Sequence, residues 1–151
     1  MNHIVVITFI IFLASCSNQK NELEAVYSPL NTNISISITL TPAHLYLAEY
    51  NRILKIKNNG KEIYKKVLFI DSGGYSNTNL YLDKNHYIVL DINGDLYRIN
   101  KDTLKVSVNN YWKYKKPPVG FIGAFDFTER KYNFIPREMR EEKEMGLLKG
   151  G

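Results

Sequence analysis

Only one cysteine, Cys16, occurs in the 151 residues. The chain therefore has no intramolecular disulfide and no cysteine-based metal site. Histidine is almost as scarce, with His3, His44 and His86. A cysteine-free zinc site in the body would need both His44 and His86, plus a carboxylate, brought together by the fold. Long hydrophobic runs are missing too. The longest, Ile4 to Ala14, is eleven residues interrupted in polarity only by Thr8, and a helix of that length at about 1.5 Å per residue covers roughly half a bilayer core. It is too short to span but fits the h-region of an export signal.

The run ends in small residues, the lone cysteine and a polar stretch, Ser17-Asn18-Gln19-Lys20-Asn21-Glu22. Leu13-Ala14-Ser15-Cys16 resembles the lipobox of bacterial lipoproteins, a Leu-small-small-Cys motif that closes a short apolar leader. The resemblance covers the first sixteen residues. It implies diacylglyceryl transfer to the Cys16 thiol, cleavage before Cys16 and acylation of the new amino terminus. It departs from the family pattern in one respect, because Met1-Asn2-His3 carries no Lys or Arg. Two or more acyl chains anchor a protein stably where a single one is marginal. Ser17, following the acylated position, is not the aspartate linked to inner-membrane retention in enteric bacteria, so the resemblance implies an envelope address, the outer membrane in a diderm organism.

About 135 residues remain, enough for one domain. Residues 1–15 are expected to be the signal peptide, 16–25 a lipidated polar tether, 26–136 a β-rich domain and 137–151 a charged, helix-prone tail. A net charge of +5 lies wholly beyond the leader. Such a field suits anionic headgroups, acidic wall polymers or an acidic protein partner, while nucleic acid does not fit that address.

Alternation dominates the body. Ile34, Ile36, Ile38 and Leu40 alternate with Ser35, Ser37, Thr39 and Thr41, the pattern of a half-buried strand. Asn59-Gly60 separates strand patterns at Arg52–Lys57 and Glu62–Ile70, and Asn93-Gly94 separates His86–Ile92 from Asp95–Asn100. Asn-Gly tolerates positive φ at both central turn positions, so each pair signals a hairpin. Further strands are expected at Leu45–Tyr50, Leu80–Asp83, Leu104–Val108, Val119–Phe127 and Tyr132–Pro136. The sum is an all-β, mainly antiparallel fold: a small up-and-down barrel or two-sheet sandwich of about eight or nine strands. A faint repeat links Leu45-Tyr46-Leu47…Asn59-Gly60 to Leu80-Tyr81-Leu82…Asn93-Gly94, at offsets of 35 and 34 residues.

Catalytic signatures are thin. Asp71-Ser72-Gly73-Gly74 resembles the nucleophile segment of chymotrypsin-like serine proteases over four residues. Ile70 stands where that family has Gly, and its double barrel does not fit in about 135 residues, so a glycine-permitted loop is expected. Asp91, Asn93 and Asp95 fail EF-hand spacing and match the polar shoulders of a hairpin turn. No catalytic residue, metal ligand or cofactor is assigned. The segment that stands out is Tyr111-Trp112-Lys113-Tyr114-Lys115-Lys116, with the chain's only Trp. Aromatic rings interleaved with ammonium groups suit a partner surface, and equally an edge strand whose lysines deter aggregation. Taken together, the residues point to a lipid-anchored envelope protein that binds a protein partner without catalysis, in the format of periplasmic inhibitors and immunity lipoproteins. The alternatives are an envelope-polymer hydrolase or an assembly accessory.

Overall fold

The structure is a computed structural model that describes residues 22–44, 46–72, 77–110, 118–128 and 131–142. The lipobox, with Leu13, Ala14, Ser15 and Cys16, and the Tyr111–Lys116 stretch lie outside the described residues.

Ten antiparallel strands build two sheets. The first contains β1 (Leu23–Tyr27), β2 (Ile34–Pro42), β3 (Tyr50–Asn58) and β4 (Lys61–Val67), in that order. The second runs β10 (Lys131–Pro136), β9 (Phe121–Thr128), β5 (Thr78–Asp83), β6 (His86–Asp91), β7 (Asp95–Asn100) and β8 (Val106–Asn110). The strands do not close a ring, so the architecture is a sandwich rather than a barrel. Among the described residues there is no helix, and none long and apolar enough to cross a membrane.

Alternation places the core. Ile36, Ile38, Leu40, Leu54 and Ile56 on the first sheet are fully buried, facing Leu80, Val89, Tyr97, Ile99 and Phe125 on the second. Each such side chain contributes about 2 kcal/mol by leaving water. One flank is shut by β1, which packs on β10. There Tyr27 meets Phe134 with ring centroids 4.7 Å apart and Tyr87 at 6.0 Å. On the other flank β4 and β8 are the outermost strands of their sheets.

The register defines two ends. Leu23 pairs with Leu40, and Pro42 with Tyr50, so the entry of β1, the 43–49 connection and the exit of β4 share one end of the first sheet. We call it the tether end. The tip of the β3–β4 hairpin and the β1–β2 turn lie at the other, distal end.

Several expectations need correction. Residues 46–49 of the strand expected at Leu45–Tyr50 lie instead in the connection from β2 to β3, where the Ala43 N–H donates to the Glu49 carbonyl at 2.8 Å, and β3 starts at Tyr50. The Leu45–Gly60 and Leu80–Gly94 segments are therefore not structural repeats; only the second is a three-stranded meander. Their turns differ as well. Asn59 and Gly60 both have positive φ, 50° and 75°, whereas in the second turn only Gly94 does, at 86°. Two-residue and three-residue loops separate the flanking strands, the latter ending on a left-handed glycine. The first strand begins at Leu23 rather than near Val26, with Glu24 accepting from the Ser37 hydroxyl at 2.8 Å while Ala25 is buried. Described residues 137–142 form a turn, a bend and irregular chain where a helix was expected.

Candidate functional site

The two body histidines end up apart. His44 lies in the tether-end loop with Nε2 3.2 Å from Glu49 Oε2, while His86 opens β6 opposite Asn100 at the distal end. Among the described residues no group of three His, Cys, Asp or Glu side chains is placed to hold a metal ion. Asp91, Asn93 and Asp95 act as a turn. Asn93 Oδ1 accepts from the Asp95 N–H at 3.1 Å, and the Gly94 N–H donates to the Asp91 carbonyl at 2.8 Å. Asp71 forms a two-way backbone bridge with Tyr50, and Ser72 is exposed beside it. Gly73 and Gly74, the rest of the protease-like segment, lie outside the described residues.

A buried polar cluster escaped the reading of the sequence. Arg52 on β3 points into the core, its Nη2 2.6 Å from Asp91 Oδ1 at the end of β6 and also bonded to Thr78 Oγ1 at the start of β5. The Thr78 hydroxyl donates to the same carboxylate at 3.0 Å. Both charged side chains are 0% exposed. Beside them burial drives the Tyr132 phenol well above its usual pKa, an effect that the Arg52 charge partly offsets. Sealed from solvent, this cluster ties sheet to sheet and offers no access to a substrate. Stepping back two residues from Ile56 and Leu54 puts Arg52 on the inward face, so period-two counting would have found it.

A second polar set fastens the chain after β10 to the outer face of the second sheet. Arg140 pairs with Asp126 and donates to Asn77 Oδ1 at 3.1 Å, and the Tyr81 hydroxyl donates to Glu142 Oε1 at 2.8 Å. Beneath it sits a small apolar cluster of Tyr81, Ile88, Leu90 and Leu96 with Phe121. The charged tail thus contributes intramolecular contacts.

Among the described residues, two surfaces bear on binding. The first is β4, whose residues are all exposed except half-buried Tyr64. The Leu68 N–H bonds the Arg52 carbonyl at 2.9 Å. Antiparallel alternation then turns the backbone groups of Leu68, Lys66 and Tyr64 toward β3, and those of Val67 and Lys65 toward the free edge. Among the described residues no strand pairs with that edge. Lys61, Lys65 and Lys66 line it, with Ile63 between the first two and Val67 after the last.

The second surface is the tether end. Tyr46 (94% exposed) and Leu47 (59%) project from the 43–49 loop, while Phe69 (64%) and Ile70 (40%) follow β4. The Tyr50–Asp71 bridge holds these two segments side by side. β8 delivers the chain to the Tyr111–Lys116 stretch at Asn110, opposite Asp95. At the distal end a polar cleft of about 410 Å³ is lined by Asn31, Asn33, Asn58, Lys101 and Asp102, among others.

No protein-family model, curated protein or solved structure matches this chain.

Proposed function

We propose that the chain is a lipid-anchored protein of the bacterial cell envelope, held through Cys16, and that it works as a non-catalytic protein-binding module of the inhibitor or immunity-lipoprotein kind. The observation that carries the binding half of this reading is the bare edge of β4. Outward-facing backbone groups at Lys65 and Val67 can accept another strand, main-chain hydrogen bonds supplying affinity and flanking side chains specificity. Lys61, Lys65 and Lys66 select for an acidic partner strand and disfavour a second copy of the same basic edge. The anchoring half is supported by the lipobox resemblance and by the polar residues between Cys16 and β1.

Each half has its own test. Radiolabelled palmitate should enter the full-length chain and not Cys16→Ala; equal incorporation would refute the anchor. A photo-crosslinking residue at Ile63 in the lipidated chain should give one discrete protein adduct in its own envelope. Lys65→Pro removes an edge-facing N–H without touching the β3 ladder, so it should abolish the adduct with little change in melting temperature. An adduct undiminished by that proline would mean that strand addition is not how the partner binds.

A further inference from the structure

We propose that the tether end of the sandwich is seated on the lipid headgroup layer, with Tyr46, Leu47, Phe69 and Ile70 entering the boundary between headgroups and acyl chains. The inference rests on the anchor at Cys16 proposed above.

Chain length fixes the geometry first. Cys16 and Leu23 are seven residues apart, so even a fully extended tether reaches at most about 24 Å. Leu23 is the first residue of β1 and pairs with Leu40 at the tether end. Whatever the conformation of the tether, that end of the domain stays close to the bilayer.

Surface chemistry follows the same polarity. Tyr46, Leu47, Phe69 and Ile70 are large, 40–94% exposed, and gathered on two segments that the Tyr50–Asp71 bridge joins. Val67, 66% exposed, sits at the corner where this patch meets β4. An apolar set rimmed by lysines suits an interface of acyl chains and anionic headgroups, and Lys65 and Lys66 supply that rim. Of the carboxylates near this patch, Glu49 lies 3.2 Å from His44, Glu22 lies 3.5 Å from Lys55, and Asp71 is buried. At the distal end Leu30 precedes Asn31 of the polar cleft, and Val119 stands near half-exposed Leu82, whose N–H bonds the Gly120 carbonyl. Seated this way, the domain keeps the length of β4 directed sideways, free for a partner strand.

Site-directed spin labelling of the full-length acylated chain in protein-free phosphatidylethanolamine–phosphatidylglycerol vesicles tests this. Cys16 is the only native cysteine, so once it is acylated Leu47→Cys, Phe69→Cys or Lys61→Cys carries the sole free thiol. Labels at 47 and 69 should collide several-fold more with membrane-dissolved oxygen than with a water-soluble nickel chelate. The label at 61, on the distal hairpin, should show the reverse. Nickel access at 47 and 69 equal to that at 61 would overturn the proposal, as would shielding that appears in the native envelope but not in protein-free vesicles, which would assign the patch to a protein. Spin labelling of the unsubstituted chain at Cys16 would instead refute the anchor, so the two failures are distinguishable.

Discussion

Among the described residues Arg52 is a large side chain that the fold buries completely, and its charge is answered by one carboxylate. Nε and Nη1 of Arg52 and Oδ2 of Asp91 have no hydrogen-bond partner among the described protein atoms. Attraction in this setting is strong, yet so is the cost of removing both ions from water, which makes the pair worth little net while a lone survivor costs much. Arg52→Met or Asp91→Val alone should therefore lower the unfolding free energy by about 3–5 kcal/mol in urea titrations. The double variant should lose less than either single one; strictly additive losses would refute this account of the pair. The tyrosines set a second response. Burial raises the phenol pKa of Tyr27, Tyr64, Tyr87, Tyr97 and Tyr132 above the usual value near 10, with Asp95, Asp91 and Tyr64 adding to the rise at Tyr97. Being raised in the folded state, these groups lose their protons first in the unfolded chain. Stability is thus intact below about pH 10 and falls as pH climbs from there toward the folded values. Absorbance at 295 nm should show a fraction of the eleven tyrosines ionising only together with unfolding; smooth titration of all eleven near pH 10 would contradict the burial described.

At the scale of elements, β2 and the two Asn-Gly hairpins were legible because period-two alternation and left-handed turn residues act locally. His86–Ile92 was legible as a strand for another reason: Tyr87, Ile88, Val89 and Leu90 form a continuous apolar run, and the structure buries it on both faces. The strand expected at Leu45–Tyr50 was misread because a strand and an apolar surface loop can carry the same side chains, and the turn from β2 into β3 is set only by their pairing. β1 was hidden in the tether, since two of its five residues are exposed and its pattern is completed only by pairing with β2. The surfaces were less legible than the strands. Edge status depends on sheet order, which no local pattern states. One backbone junction offers a sharp check. Gly120 has φ +83°, and a Cβ there would collide with the Leu82 carbonyl oxygen, in the strand whose Leu82 N–H bonds Gly120 at 2.8 Å. Gly120→Ala should cost about 2–3 kcal/mol and lower the thermal midpoint. Gly60→Ala meets no neighbouring atom, and its strained φ alone should cost about 1–2 kcal/mol. Equal midpoints for the two variants would remove the close approach of β9 to β5.

The molecule as a whole is polar along its strands, with lipid chemistry expected at one end and a hydrophilic cleft at the other, and β1 is the strand that joins the tether to the core. It pairs with β2 through five residue pairs and packs on β10, so it closes the flank opposite β4. Everything before it should be dispensable for folding, because the described core draws its apolar contacts from residue 23 onward. A chain beginning at Glu22 should therefore melt within about 2 °C of the full-length protein, since a difference below about 0.5 kcal/mol moves the midpoint no further. A chain beginning at Ser28 loses burial of Leu23, Ala25 and Tyr27, worth about 4 kcal/mol, together with the ladder to β2. Its midpoint should drop by roughly 10 °C or more. It should also associate, because loss of β1 leaves the long apolar strand β2 as a new edge with no lysine of its own. Circular dichroism melts and light scattering on the two truncations decide the matter. If both chains melt alike and stay monomeric, β1 is an appendage of the tether, and the domain has no fixed end to present to a membrane.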